Sequence, residues 1–176
     1  KGELERLTRR YASAIAPIIG PQQDIPAPDV NTDSQVMAWI MDTYSAEQGY
    51  AVPAVVTGKP VPLGGSLGRT EATGRGCMIV ARELAKSMGL SVSGATVAIQ
   101  GMGNVGGIAA RLMAAAGFTI VAMSDSRTGI HDPQGLDVAA VLAWRREHGA
   151  IAGFPGAAGV SNEALLELPC DVLVPA

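Results

Sequence analysis

The chain has 176 residues, a formal net charge of −3, and side chains that are 48% hydrophobic but only 4% aromatic. That length supports one good core, or one domain and part of another, built from Ala, Val, Ile, Leu and Met. Lys and Arg form no stripe, which argues against nucleic acid as a main partner, and no apolar run approaches the ~20 residues needed to cross a bilayer. Cys77 and Cys170 stand far apart without metal-ligand company. They are expected to be free thiols of a protein in the reducing cytoplasm, with no metal site and no membrane partner.

Residues 2–15 place Leu4, Leu7, Tyr11 and Ile15 on one helical face, with Glu3, Glu5, Arg6, Arg9 and Arg10 around the rest. That apolar face is expected to pack on a core. Pro17 and Gly20-Pro21 stop the helix. The segment 22–31, Gln-Gln-Asp-Ile-Pro-Ala-Pro-Asp-Val-Asn, is stiff and extended because two prolines restrict it. It reads either as a rigid linker with Asp24 and Asp29 as turn formers, or as a frame that fixes side-chain directions. Thr32-Asp-Ser-Gln35 fits a capping box, with Thr32 as the cap. The helix it opens should bury Val36, Met37, Ile40, Met41 and Tyr44, with Trp39 a core residue, and end at Gly49.

Turn signals at Pro53, Gly58, Pro60, Pro62, Gly64-Gly65 and Gly68 mark a candidate domain boundary. They lead into Gly64-Gly-Ser-Leu-Gly-Arg-Thr-Glu-Ala-Thr-Gly-Arg-Gly76 and a helix through Lys86, with Met78, Ile79, Ala81, Leu84 and Ala85 on its apolar side. The start of that helix offers the hydroxyls of Ser66, Thr70 and Thr73. Arg69 either pairs with Glu71 or faces an anionic ligand.

The run 95–99 is short, apolar and β-rich, and reads as a buried strand. It enters Gly101-x-Gly103-x-x-Gly106, and residues 103–116 read as helix. Strand, glycine turn and helix in that order are what a dinucleotide site needs. Gly101 permits the tight turn, Gly103 lets a pyrophosphate approach backbone N–H groups at a positive helix end, and Gly106 lets helix and strand pack closely. A strand at 118–123 ends at Asp125, about 20 residues past the motif, where an acid would hold the ribose hydroxyls. A helix over 136–148, a short strand near 157–160, a helix capped by Ser161 or Asn162, and a parallel-type strand over 170–174 complete the reading. His131, His148 and the pair Arg145-Arg146 read as ordinary surface residues. The fold class is α/β, the first half of a Rossmann-type doubly wound parallel sheet. Ending such a sheet on an apolar strand leaves an open edge, so the 176 residues are expected to be an internal piece of a longer subunit.

These segments together resemble the glutamate dehydrogenase family, within the Glu/Leu/Phe/Val amino-acid dehydrogenases. The matching residues are Gly2-Glu-Leu-Glu-Arg-Leu-Thr-Arg-Arg-Tyr11, Asp24-Ile-Pro-Ala-Pro-Asp29, Gly64-Gly-Ser-x-x-Arg-x-Glu-Ala-Thr-Gly-x-Gly76, Gln100-Gly-Met-Gly-Asn-Val-Gly106 and Ser124-Asp-Ser126. The second and third blocks are specific, and leucine and phenylalanine dehydrogenases differ at the third. The resemblance implies reversible oxidative deamination of L-glutamate to 2-oxoglutarate and ammonium, with NAD as cofactor and NADP possible. It implies that Asp29 is the catalytic carboxylate, that Ala27 lines the substrate pocket through its backbone, and that Arg69 serves the substrate at the domain junction. Thr73 would contact the cofactor near its nicotinamide. Gln100, Gly101, Gly103, Asn104, Val105 and Gly106 would wrap the pyrophosphate, and Ser124 and Asp125 the adenosine ribose. Residues 1–57 would then be the helical tail of a substrate and oligomerisation domain, 58–176 an incomplete cofactor domain, and the assembly a homo-oligomer, by resemblance a hexamer. The lysine-bearing substrate segment of the family would lie upstream of Lys1. The alternative is a catalytically idle regulatory subunit or nucleotide-binding module.

Overall fold

The computed structural model describes residues 2–176, which divide into a unit ending at Arg69 and a unit beginning at Thr70. In the first, helix α1 (Gly2–Ile15) lies against helix α2 (Ser34–Gln48). Trp39, Ile40, Met37 and Val36 from α2 meet Ala12, Ile19, Val52, Val55 and Val56 in one apolar cluster. The α1 face that meets α2 is not the expected one. Thr8 and Ala12 are buried, while Leu4, Leu7 and Tyr11 are exposed at 44%, 66% and 56%. Ion pairs lie along the 5-8-9-12 face: Arg9 bonds Glu5 on its own helix at 2.9 Å and reaches Asp42 of α2 at 2.5 Å.

The cap of α2 also differs from the capping box. Asp33 is the N-cap, its Oδ1 accepting the Val36 N–H at 3.0 Å, and Thr32 is free for another partner. Gly49 closes the helix in the left-handed region, φ 80°, as expected of a C-terminal glycine.

In the second unit, five strands form one sheet in the order β4-β3-β2-β1-β5. They are β1 (Thr96–Gln100), β2 (Thr119–Ser124), β3 (Gly129–His131), β4 (Ala158–Val160) and β5 (Val172–Pro175). β1 pairs in parallel with β2 and with β5. β3 is antiparallel to both of its neighbours, which corrects the expectation of a wholly parallel sheet. The reason is local. The chain leaves β2 through a tight turn at Asp125, too short for the crossover a parallel strand requires, so it must fold back. β5 lies last in the sheet among the described residues, with Leu173 exposed at 42% and Val174 buried, as expected of an apolar strand at an open edge.

Helices cover both faces of this sheet. Helix α4 (Gly106–Ala115) packs on one side, where Val97, Ile99, Ile120 and Met123 join Met113 of α4 and Val141 of helix α5 (Val138–His148). Helix α6 (Asn162–Leu166) packs on the other, where Leu165 meets Ala98 and Ala122. One irregularity decides these addresses. Val97 pairs with Ile120 but Ala98 pairs with Ala122, so Val121 is an extra, bulged residue in β2.

Helix α3 (Ala72–Ser87) runs beside α4, and the two approach closely at Gly74. A Cβ there would lie 2.8 Å from Ile108 Cγ2 and 2.9 Å from the Ala109 nitrogen. The apolar side expected of α3 is only partly used: Met78 and Ala85 are buried, whereas Ile79 and Leu84 are 41% and 56% exposed. Cys77 and Cys170 are free and half-buried, and burial pushes the Cys77 thiol up.

Candidate functional site

In the first unit, the segment around Asp29 is held at several points. Pro26 O accepts the Thr57 N–H at 2.9 Å. Pro28 lies against Gly58, where a Cβ would meet its ring at 2.5 Å. Thr32, released from capping, takes the Asp29 N–H on its hydroxyl at 2.6 Å and donates that hydroxyl to Asp29 O at 2.8 Å. The Asp29 carboxylate is exposed; Oδ1 accepts the Val30 N–H at 2.8 Å, and Oδ2 has no partner among the described residues. Asn31 takes a positive φ of 63°, which an asparagine tolerates. The rigid-linker and fixed-direction readings therefore coincide: the turn is rigid and it presents one carboxylate. Ala27 and Arg69 are exposed.

The second unit carries the glycine turn. Gly101 sits at φ 92°, and a Cβ on it would lie 2.0 Å from Ala176 O. A Cβ on Gly106 would lie 2.0 Å from Gly101 O. Both positions are closed to any other residue by backbone, as the tight-turn and close-packing roles require. Gly103 is different: a Cβ there would meet nothing within 4 Å. The backbone N–H groups of Gly103, Asn104, Val105 and Gly106 have no acceptor among the described residues, at the N-terminus of the ten-residue α4. Unpaired donors, a positive helix end and open space above Gly103 fit an anionic group such as a pyrophosphate.

A pocket of about 570 Å³ opens beside this turn. Of the expected residues it brings together Gln100, Gly101, Gly103 and Asp125, and it adds Arg127, Arg145 and Asn162. Ser124 is not among its lining residues. It is fully buried, and its hydroxyl accepts the Gly101 N–H at 3.4 Å, so it props the turn from beneath. Asn104, Val105 and Gly106 lead into α4, and Thr73 is exposed on the first turn of α3.

Asp125 is half-buried and heavily engaged. Its Oδ1 accepts the N–H groups of Arg127 at 2.8 Å and Thr128 at 3.1 Å, and its Oδ2 that of Ile151 at 3.2 Å. Burial works to raise its carboxyl, but the three backbone donors and the Arg145 charge together outweigh it and hold the group below its ordinary value. Asn162 donates Nδ2 to Asp125 O at 3.2 Å, and its buried Oδ1 has no partner among the described residues. Arg145, read from sequence as a surface residue, donates Nη1 to Met102 O within the glycine turn. No sequence signal marks it, because one arginine in the last turn of an amphipathic helix looks like any other. Glu71, the alternative partner of Arg69, instead binds both Arg75 and Arg111, whose guanidinium groups hold its carboxyl low.

The model of the Glutamate/Leucine/Phenylalanine/Valine dehydrogenase family matches residues 64–176, and that of the Glu/Leu/Phe/Val dehydrogenase dimerisation domain matches residues 1–46. A glutamate dehydrogenase of Thermotoga maritima is 53% identical over the whole of this chain, which spans 42% of that protein. A cryptic catabolic NAD-specific glutamate dehydrogenase of Bacillus subtilis is 47% identical over 99% of the chain and 40% of its own length. The crystal structure of hetero-hexameric glutamate dehydrogenase from Thermus thermophilus, leucine-bound form, superposes with a TM-score of 0.93 at 45% identity, covering all of this chain and 41% of that one. The chain thus spans about two fifths of the relatives it matches. With its glycine turn, its two-faced sheet and both family models in register along its length, the chain belongs to the Glu/Leu/Phe/Val dehydrogenase family.

Proposed function

We propose that these residues are the acid–base and cofactor-holding part of a glutamate dehydrogenase, which converts L-glutamate reversibly into 2-oxoglutarate and ammonium. The observation that carries the reading is the turn at 101–106, whose four N–H groups have no acceptor among the described residues at the start of α4, with open space over Gly103. We read the second unit as the first half of a doubly wound Rossmann-type sheet, since α4 and α6 cover opposite faces and the glycine turn follows β1 directly. The domain division is proposed at 57/58, and the assembly as a homo-hexamer.

NAD, with NADP as the second candidate, would supply hydride acceptance and donation when bound. Gly103, Asn104, Val105 and Gly106 would bind its pyrophosphate through their N–H groups, with Gln100 and Gly101 forming the floor. Asp125 would receive a ribose hydroxyl on the lone pair of Oδ2 that Ile151 leaves open, and Ser124 would act there only by holding Gly101. Thr73 would lie toward the nicotinamide, and Ala27 and Arg69 would hold substrate. Asp29 would move protons at Oδ2, the oxygen without a partner among the described residues, as ammonia adds and water leaves. The idle-subunit alternative has no observation in its favour, since a rigid turn that presents a carboxylate serves no purpose in it.

The test is NADH and NADPH oxidation by the full-length protein with 2-oxoglutarate and ammonium. Turnover that requires both substrates, and that falls about 10²–10⁴-fold in Asp29→Asn with cofactor binding retained, is the expected result. Tight cofactor binding without turnover in the unmodified protein would overturn it.

A further inference from the structure

The Arg145 guanidinium reaches from the last turn of α5 to the carbonyl of Met102, the residue between the first two glycines of the turn. Met102's own side chain is 2% exposed, anchored in the core, so the residue is gripped from both sides. The peptide that joins Met102 to Gly103 is planar and trans, and its C=O and N–H point in opposite directions. Whatever fixes the Met102 oxygen therefore fixes the direction of the Gly103 N–H. Among the described residues Gly103 adds no hold of its own: it has no side chain, no packed neighbour within 4 Å of a Cβ position and no acceptor for its N–H. α5 is itself steady enough to serve as the anchor, because Val138 and Val141 are buried and Leu142 packs beside Gly107.

We propose that Arg145 is a positioning residue for the cofactor turn: by holding the Met102 carbonyl it aims the Gly103 N–H at the pyrophosphate. This rests on the cofactor reading above. Free rotation of the Met102–Gly103 peptide would turn a carbonyl oxygen toward the phosphate, exchanging an attraction for a repulsion. Arg145 prevents the exchange before any ligand arrives, so the ordering cost is already met in the free protein.

The experiment measures binding of NADH, ADP and adenosine by titration calorimetry to the full-length protein and to Arg145→Met and Arg145→Lys. ADP contains a pyrophosphate and adenosine has none, so only ADP and NADH report the aim of the N–H. In Arg145→Met, binding of NADH and ADP should weaken about tenfold while adenosine binding holds, which also shows that the variant is folded. The weakening should be the same at low and high salt, because the guanidinium acts through the backbone rather than as a charge on the ligand. Arg145→Lys, which keeps a donor, should recover most of the loss, and the KM for NADH should rise in Arg145→Met with kcat little changed. Equal weakening for adenosine, or a loss that disappears in high salt, overturns the proposal. Unmodified protein that binds neither NADH nor ADP overturns the cofactor reading and this inference with it; unmodified protein that binds both, with Arg145→Met indistinguishable, overturns this inference alone.

Discussion

Thr32 and Asp29 hold each other through both halves of one backbone unit: the threonine hydroxyl accepts the Asp29 N–H at 2.6 Å and donates to the Asp29 carbonyl at 2.8 Å. A third bond, from the Thr32 N–H to the same carbonyl at 3.0 Å, closes the turn. The threonine thus sets the direction in which the carboxylate leaves the chain. Thr32→Val keeps the shape but loses the hydroxyl. It should lower kcat for glutamate oxidation about tenfold with the affinity for NADH unchanged, since a reacting group displaced slightly costs rate rather than cofactor binding. Thr32→Ser should be close to the parent; equal losses in the two variants would contradict the assignment.

Gly103 and Gly106 separate binding from stability. A methyl group on Gly106 would lie 2.0 Å from the Gly101 oxygen, so Gly106→Ala should destabilise the fold by about 2–3 kcal/mol as α4 is pushed off the turn. A methyl group on Gly103 meets no atom of the described residues beyond its chain neighbours within 4 Å. Gly103→Ala should therefore unfold in urea at nearly the parental midpoint while its Kd for NADH rises about tenfold, because the methyl group occupies the ligand's approach. A midpoint shift in Gly103→Ala comparable to that of Gly106→Ala would contradict this.

Asp125 should discriminate between the two cofactors. Its charge opposes a 2′-phosphate, while Arg127 lines the same pocket and would welcome one. Asp125→Ser should raise the NADPH to NADH ratio of kcat/KM by about tenfold. It should also cost about 1 kcal/mol, because the Ile151 N–H loses its acceptor. An unchanged ratio with the stability loss present would make Asp125 a turn former only.

The same carboxylate gives a pH signature. Its folded value lies below its ordinary one, so its contribution to stability is complete above the ordinary carboxylate range and is lost as pH falls through the lowered folded value. The Tm gap between the parent and Asp125→Asn should be widest near neutrality and close on acidification. A gap that widens in acid would contradict the sign.

The glycine turn was legible because Gly101 and Gly106 answer steric demands that no other residue meets, and strand and helix flank it in sequence. The helix at 138–148 and its start at Asp137 follow the usual capping chemistry, and its arginines do not. Arg145 acts on a carbonyl 43 positions away in the chain, and that separation leaves no periodic trace. The α1 face was misread because Leu4, Leu7 and Tyr11 outrank Thr8 and Ala12 in hydrophobicity, while the side on which Thr8 and Ala12 lie is the one buried. Thr32 was misread because Thr32 and Asp33 are both good caps, and only the demand from Asp29 distinguishes them. β3 was missed because Gly129-Ile130-His131 holds a single apolar residue between a glycine and a histidine and so shows no strand pattern.

The bulge at Val121 works as a one-residue correction of frame. Continued without it, the pairing that begins at Val97 and Ile120 would set Met123 beside Gln100 and Ser124 beside Gly101. Asp125 would then emerge about 3.3 Å farther along, on the opposite face of the sheet. With the extra residue, Ser124 draws level with Gln100 and reaches the Gly101 N–H from below, and Asp125 comes out abreast of the turn. A valine with no partner on β1, its carbonyl taken instead by the Asp132 N–H, thereby decides what stands at the strand's end.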